Sequence, residues 1–246
     1  MTTVNEISVS QTGICTTVPP IGEGVCSICH GCPNPGYSTC WSCDNVTGQL
    51  SQPCPLVAPI SLYQVPSQLH HLLRHYKSDS YPHLRAELSA RVVSLLACFL
   101  SNHRTCVERT AGKSWGVITS VPSSRPREDD HPLVTAINRI QRMRSQYQEL
   151  LTLGAEAVGH LKASDQGFAT TQDVKGKRVL LVDDTYTSGA TAQSAASSLA
   201  LGGAEVVAII AIGRVIQPEF SDTVEAFWKR QQHIQFTAHL GISWVK

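Results

Sequence analysis

The pattern of apolar residues along this chain predicts alternating helices and strands. Apolar positions recur at helical spacing in residues 68–76, 83–100, 132–153, 190–201 and 224–231, and Pro82 opens the second of these helices. Short, nearly continuous apolar runs at 115–121, 178–182 and 205–212 are typical of strands covered on both faces. Strands that alternate with helices predict an α/β fold with a parallel sheet flanked by helices.

The N-terminal part of the chain has a different composition. Residues 1–22 are polar and rich in Thr, which predicts a disordered tail. Residues 23–56 contain six of the nine cysteines, separated by Gly and Pro, and cannot bury a core of their own. We therefore predict a small cysteine module at 23–56 and a larger α/β domain at 57–246.

Charge and hydropathy exclude several functional classes. The net charge is +1 and only 16% of residues are charged, so composition gives no basis for non-specific nucleic-acid binding. No segment is long and apolar enough to predict a membrane span, and the first residues lack the features of a secretory signal. The expected location is the reducing cytoplasm, where cysteines serve as metal ligands or free thiols rather than disulfides.

Two adjacent carboxylates follow the strand predicted at 178–182. Asp183 and Asp184 come at its carboxyl end, which is the edge where parallel sheets bind ligands. Adjacent carboxylates repel each other unless donors or a cation face them. A ribose diol, alone or with Mg²⁺, supplies such partners.

A loop of small and hydroxyl residues connects these carboxylates to the next helix. Such residues let backbone N–H groups approach a phosphate, and the helix N-terminus adds favourable partial charge. The predicted ligand is a phosphorylated ribose, and the absence of a P-loop lysine argues against nucleoside triphosphate hydrolysis. An acidic N-cap opening an ordinary helix is the alternative interpretation. The loop residues are Thr185, Thr187, Ser188, Gly189, Ala190 and Thr191.

A second candidate anion site follows the strand predicted at 115–121. Ser123 and Ser124 offer hydroxyl and backbone donors, and Arg125 and Arg127 can pair with pyrophosphate oxygens. In the alternative interpretation, both arginines pair with the acidic residues at 128–130 on a solvated loop.

Two CxxC pairs predict a zinc site. Cys26 and Cys29 are separated by ten residues from Cys40 and Cys43, and four thiolates can close a tetrahedron around Zn²⁺. A closed thiolate site is structural, so the metal is expected to replace the missing core of a zinc-ribbon-like module. Cys32, Cys54 and His30 are alternative ligands. Haem attachment at CSICH requires export, and the second CxxC pair favours zinc over an iron–sulfur cluster.

The sequence VLLVDDTYTSGAT at 179–191 resembles the 5-phosphoribosyl-1-pyrophosphate (PRPP) motif of type I phosphoribosyltransferases. The resemblance implies that Asp183 and Asp184 hold the ribose hydroxyls and that residues 187–191 wrap the 5′-phosphate. It also implies a pyrophosphate loop at Ser123, Ser124, Arg125 and Arg127, with the two aspartates and the two arginines as catalytic residues. Relatives that act on 6-oxopurines carry Asp and Lys where this chain has Thr187 and Ala190, so a different acceptor is expected.

Cysteine pairs joined to such a domain resemble the ComF family, which includes competence-associated and GntX-like proteins. The order of the zinc module, LLRHYK at 72–77, Val-Pro at 121–122 and the PRPP motif agrees with that family. The family's Arg-Gly-Phe-Asn-Gln stretch is replaced here by RPREDDHPL at 125–133. The resemblance implies a cytoplasmic, Mg²⁺-dependent phosphoribosyltransferase with structural Zn²⁺, an association into homodimers, and a site that Lys77 faces. The alternative is a non-catalytic sensor of PRPP or a nucleotide, whose zinc module docks a protein or DNA partner in DNA uptake or processing.

Overall fold

A computed structural model of the chain describes residues 12–123 and 131–236. Within them, four strands form a parallel sheet and two short strands form an antiparallel pair. In chain order the strands are β1 (Val57–Tyr63), β2 (Val117–Ser120), β3 (Leu151–Leu153), β4 (Phe168–Thr170), β5 (Arg178–Tyr186) and β6 (Glu205–Val215). The parallel sheet has the order β1-β6-β5-β2, which places β5 and β6 at its centre, and β3 pairs with β4.

Helices cover the sheet and connect its strands. The described helices are α1 (Trp41–Thr47), α2 (Gln68–Ser78), α3 (Pro82–Ala111), α4 (Pro132–Asn138), α5 (Gln141–Arg144), α6 (Ala190–Leu201) and α7 (Asp222–Gln232). Single 3₁₀ turns occur at Thr12–Ile14 and Pro218–Phe220. None of these helices combines the length and apolar character that crossing a bilayer requires.

The two faces of the sheet belong to different buried clusters. Leu180 and Val182 of β5 pack in one cluster, together with apolar residues of α2 and α3. Val179 and Leu181 point to the opposite face and pack in a second cluster, together with alanines of α6. All four side chains are completely buried, because side chains alternate between the faces of a strand and helices cover both. The predicted α/β class with a parallel sheet flanked by helices is therefore confirmed.

The segment from Cys26 to Cys43, called here the cysteine segment, packs against the same face of the sheet as α6. Cys26, Cys29, Cys40 and Cys43 are buried in the cluster that also contains Leu181 of β5 and residues of β6. Their apolar surroundings thus come mainly from the rest of the chain. The division into a module at 23–56 and a domain at 57–246 stays a prediction, as does the assignment to the type I phosphoribosyltransferase fold.

The predicted helix at 132–153 is confirmed only in its first part and is wrong beyond residue 144. α4 ends at Asn138, α5 is a single short turn, and the chain then runs beside β2. There the backbone N–H of Ile118 donates to the carbonyl of Gln146, and the N–H of Gln148 donates to the carbonyl of Ile118, both at 2.9 Å. These long-range hydrogen bonds, followed by the pairing of β3 with β4, outweigh the helical spacing of the apolar residues.

The sequence pattern did not predict β1. Its sequence VAPISLY contains Pro59, and a proline inside a strand normally argues against a central strand. β1 lies at the edge of the sheet, where its other side forms a single bridge, between Leu62 and Thr16, so the missing N–H of Pro59 breaks no second ladder.

Candidate functional site

Asp183 and Asp184 lie inside β5 rather than after it. The strand continues past Val182 to Tyr186, and its ladder with β6 includes Asp183 and Thr185. Asp183 is half-buried, whereas only 4% of the surface of Asp184 is exposed. The backbone N–H of Asp184 also donates to Oδ1 of Asp183 at 2.8 Å. The sheet therefore fixes both carboxylates at its carboxyl edge.

Helix α2 supplies the partners of Asp184. The hydroxyl of Tyr76 donates to Asp184 Oδ2 at 2.5 Å, and the Lys77 ammonium forms an ion pair with the same oxygen. The side chain of Ser67 caps the start of the helix by accepting from the N–H of His70. A capped helix thus carries one hydroxyl and one cation to a buried carboxylate, and Lys77 also lines the cleft above it.

The two carboxylates differ in their electrostatic environment. Burial, together with the negative charge of Asp184, raises the pKa of Asp183 to about 7. Removing water disfavours the charged form, and a neighbouring anion has the same effect. Asp183 therefore carries its charge at a cost in folding free energy, which a cation or hydroxyl donor in the site can offset.

An open cleft of about 820 Å³ lies above these carboxylates. One wall comes from α2 and carries basic side chains, and another comes from the end of β5 and its loop. Its polar lining includes His70, Arg74, Lys77, Asp183, Asp184, Thr185, Thr187 and Thr191. A cleft that combines two carboxylates with cationic side chains suits a ligand that is anionic and also carries hydroxyls or a metal ion.

The loop after β5 contains a residue, Gly189, whose backbone conformation is accessible to glycine but strained for other residues. Gly189 has a φ of +90°, and a Cβ atom placed there would lie 2.2 Å from the hydroxyl oxygen of Tyr186. The next residue, Ala190, begins α6, whose first turn is closed by the N–H of Gln193 donating to the carbonyl of Gly189. The hydroxyl of Ser188 accepts from the N–H groups of Ala190 and Leu161 at 3.4 and 3.3 Å.

A smaller cavity of about 240 Å³ opens directly onto this loop. Its lining contains every residue from Thr187 to Ala192, together with Asp183, Thr185, Gly159 and His160. The cavity continues the large cleft, since Asp183, Thr185, Thr187 and Thr191 line both. The predicted phosphate-binding residues 187–191 thus surround one space, adjacent to the predicted ribose-binding carboxylates. His160 had no recognisable signal in the sequence, because it reaches the loop from the segment between β3 and β4.

The second candidate loop is placed only in part. Ser123 and His131 both line the large cleft. Ser124, Arg125 and Arg127 lie outside the described residues. Their predicted contacts with pyrophosphate stay a prediction.

Four cysteine side chains form a cluster with the dimensions of a zinc site. The sulfur atoms of Cys26, Cys29, Cys40 and Cys43 all lie within 4.8 Å of one another and are buried. Cys29 Sγ and Cys40 Sγ are 3.7 Å apart, and a tetrahedron with Zn–S bonds of about 2.3 Å has edges of about 3.8 Å. The N–H of Cys40 donates to Cys26 Sγ at 3.2 Å, an interaction that stabilises a thiolate ligand. The donor set fits Zn²⁺.

The alternative ligands are directed elsewhere. The Cys54 thiol donates to the carbonyl of Leu56 at 3.4 Å, and the Cys32 thiol lies 3.8 Å from the carbonyl of Thr223. A ring nitrogen of His30 lies 2.8 Å from the carbonyl of Pro19. Within the described residues, the cluster with metal-ligand spacing consists of the four predicted cysteines alone.

Sequence reasoning missed Arg214. This residue follows the apolar run of β6, and only 7% of its surface is exposed. Its guanidinium lies between the loop after β5 and the cysteine cluster. Burial alone lowers the pKa of Arg214, but the charges of Cys29, Cys40 and Cys43 outweigh burial and raise it. A charged residue inside an apolar strand was the available signal, because a buried arginine requires acceptors or anions.

Comparison with known proteins gives no match: neither the protein-family models nor the curated proteins contain one that matches this chain.

The raised pKa of Asp183 can be tested by replacing this residue and measuring folding stability. Protonated Asp183 contributes stability that is fully present below about pH 4 and is lost as the pH rises to about 7, since its folded pKa is raised. Asp183→Asn should therefore be more stable than wild type above pH 7, by about 1–3 kcal/mol, with the gain shrinking towards pH 4. Urea unfolding of the zinc-loaded protein without Mg²⁺ from pH 5 to 8 measures this difference. A gain that does not depend on pH would show that the pKa of Asp183 is not raised.

Gly189→Ala tests the backbone of the loop. The substitution forces a non-glycine residue into a positive φ and against the Tyr186 ring, so it should destabilise the protein by about 1–3 kcal/mol. Gly116→Ala is the matched control, because a Cβ there meets no atom within 4 Å. Thermal unfolding of both variants gives the comparison. Equal effects of the two substitutions would show that the loop tolerates a side chain.

The cysteine cluster should hold one zinc ion per chain. Replacing Cys26 and Cys40 together by Ser should abolish zinc binding, because two soft ligands of a four-ligand site are lost. Cys54→Ser should retain the metal, since Cys54 is directed to Leu56. Elemental analysis of the purified proteins measures the stoichiometry. Zinc retained in the double variant, or lost from Cys54→Ser, would contradict the assignment.

Proposed function

We propose that this chain is a ComF-like phosphoribosyltransferase that binds PRPP with Mg²⁺ and transfers the phosphoribosyl group to an acceptor. One observation carries the proposal: Asp183, Asp184 and the loop at 187–191 line one continuous space beneath the basic wall of α2. The carboxylates can accept hydrogen bonds from ribose hydroxyls, the loop can bind one phosphate group, and the cations of α2 can bind the phosphates at the other end of the ribose.

The residues at the carboxyl edge of the sheet have separate tasks in this function. The backbone N–H groups at 187–191, at the N-terminus of α6, bind the 5′-phosphate. Asp183 and Asp184 accept from the ribose 2′- and 3′-hydroxyls. Arg74 and Lys77 face the pyrophosphate end of the cleft and stabilise its negative charge.

The fit of Mg²⁺ rests on the donor set. Asp183 and Asp184 offer the carboxylate oxygens that Mg²⁺ prefers, and the raised pKa of Asp183 reflects a charge that a cation stabilises. When bound, Mg²⁺ neutralises charge on the pyrophosphate leaving group. In the ligand-free protein Lys77 and Tyr76 provide the counter-charge and hydrogen bond for Asp184. These two residues hold the carboxylate in position before the ligand arrives.

The reaction exchanges one bond at the anomeric carbon. The bond from C1 of the ribose to a pyrophosphate oxygen breaks, and pyrophosphate leaves with that electron pair. A bond from C1 to the acceptor forms, and the acceptor releases a proton. The developing positive charge on the ribose ring lies near Asp183 and Asp184, so the same carboxylates bind the hydroxyls and stabilise the transition state. Thr187 and Ala190 favour an acceptor other than a 6-oxopurine.

The second candidate function is a non-catalytic sensor of PRPP or a nucleotide. It is favoured by RPREDDHPL at 125–133, which replaces the family's Arg-Gly-Phe-Asn-Gln stretch. The cysteine segment also exposes two aromatic side chains, Tyr37 and Trp41, with 69% and 49% of their surfaces accessible. Exposed aromatic residues beside a structural metal site suit the docking of a protein or DNA partner.

Binding and turnover of PRPP separate these functions. Zinc-loaded wild-type protein should bind PRPP with Mg²⁺ in titration calorimetry and release pyrophosphate with at least one member of a panel of bases. The double variant Asp183→Asn, Asp184→Asn should bind at least about 100-fold more weakly, because two charge-assisted interactions are removed.

Asp173→Asn is the control for this experiment, since Asp173 belongs to an exposed turn away from the cleft. Binding of PRPP without pyrophosphate release across the panel would establish the sensor instead. Absence of PRPP binding, or equal binding by the double variant, would refute both the transferase and the PRPP sensor.

A further inference from the structure

Arg214 holds the backbone at the start of the phosphate loop. Its Nη1 donates to the carbonyl of Thr187 at 2.6 Å and lies 3.4 Å from the carbonyl of Tyr186. The same nitrogen donates to the carbonyl of Val215, its own neighbour in β6. A single guanidinium group therefore ties the end of β5 and the first loop residue to the end of β6.

The other side of the guanidinium contacts the cysteine cluster. Nη2 of Arg214 lies 3.9 Å from Cys40 Sγ. Gly31 lies beside this contact, since a Cβ atom there would be 3.4 Å from both Nη2 and Cys29 Sγ. Arg214 also interacts with Cys29, so it is packed against two of the four cysteines.

Tyr186 makes a second connection between the same two sites. Its hydroxyl lies 3.9 Å from Cys43 Sγ and accepts from Gln193 of α6 at 3.4 Å. Its ring centroid lies 5.6 Å from the Arg214 guanidinium carbon, and its hydroxyl occupies the space that a side chain at Gly189 would need. The cysteine cluster therefore contacts two residues that touch the loop: Arg214 at Thr187 and Tyr186 at Gly189.

The charges favour a functional link between these sites. Four thiolates around Zn²⁺ carry a net charge of −2, and a buried cation beside them is stabilised by that excess. Arg214 needs an anionic neighbour to remain buried, and the loop carbonyls are held only while Arg214 stays in place. When the metal is lost, Cys40 and Cys43 are no longer held in fixed positions. The net negative charge that stabilises the Arg214 cation also changes.

We propose that Arg214 is a positioning residue that couples the four-cysteine metal site to the phosphate loop, so that zinc occupancy sets the affinity of the loop for phosphate. The inference rests on the proposed function for its ligand, PRPP. Because linked equilibria are reciprocal, PRPP should tighten zinc by the same factor by which zinc tightens PRPP.

The test measures both affinities in the full chain. Titration calorimetry gives the Kd of Mg²⁺-PRPP for zinc-loaded and zinc-stripped protein, and competition with a chelator gives the Kd of zinc. In wild type, removing zinc should weaken PRPP binding about tenfold, a typical coupling between linked sites. In Arg214→Met, PRPP binding should already be about tenfold weaker with zinc and should change less than twofold without it.

Two further variants show whether the effect belongs to this position. Arg104→Met is the matched control, because Arg104 is a partly buried arginine on the Trp115 ring and far from both sites. It should leave the coupling at its wild-type value. Arg214→Lys keeps the charge but not the forked donor geometry, so it should retain zinc while its PRPP binding resembles that of Arg214→Met.

Hydrogen exchange keeps the proposal testable without PRPP. Amides at 187–190 should exchange faster in zinc-stripped than in zinc-loaded wild type, while those of β2 stay unchanged, and equal exchange at 187–190 would overturn the coupling. If stripping unfolds the whole protein, the zinc-loaded variants decide: PRPP binding by Arg214→Met at wild-type strength overturns the proposal. Absence of PRPP binding in zinc-loaded wild type defeats the proposed function, whereas a zinc-independent PRPP affinity in folded protein defeats only the coupling.

Discussion

Burial of β5 and β6 on both faces is the constraint on which the rest of this structure depends. A strand with completely buried side chains on either side must have one layer of structure above it and another below. On one face the layer is α2 with α3, and on the other it is α6 together with the cysteine segment. The carboxyl end of β5 lines the open cleft, and polar side chains of β5 and α2 meet there.

The polar residues at this edge are kept in place by partners from both layers. From the first layer, Tyr76 and Lys77 fix Asp184. Between the sheet and the second layer, Arg214 fixes the carbonyl of Thr187, and Tyr186 lies under Gly189. The ion pairs among the described residues do not include Asp183. Burial and the charge of Asp184 raise the pKa of Asp183. One carboxylate of the pair is therefore held by a hydroxyl and a cation, whereas the charge of the other is disfavoured by its surroundings.

The sequence predicted the parts of this architecture that depend on local pattern. Strands at 178–182 and 205–212 and the helix at 190–201 were visible because their apolar runs are long and their ends are marked by Asp or Gly. The four cysteines were visible because ligand spacing for zinc is short-range. The path of residues 145–150 beside β2 was not visible, since hydrogen bonds to Ile118 across the fold determine it. The role of Arg214 was hidden for the same reason: its partners Thr187 and Cys40 are 27 and 174 positions away.

The packing of the cysteines against β5 and β6 also bears on the order of events during protein synthesis. Cys26 to Cys43 leave the ribosome early, but Tyr186 and Arg214, which contact Cys43 and Cys40, are made more than 140 residues later. A domain that emerges first usually folds first. Here the surroundings of the cysteine cluster become complete only when the final strand of the sheet is in place. The four thiols therefore stay in an incomplete environment until β6 has been synthesised, and the finished cysteine cluster indicates that the central strands of the sheet are in place.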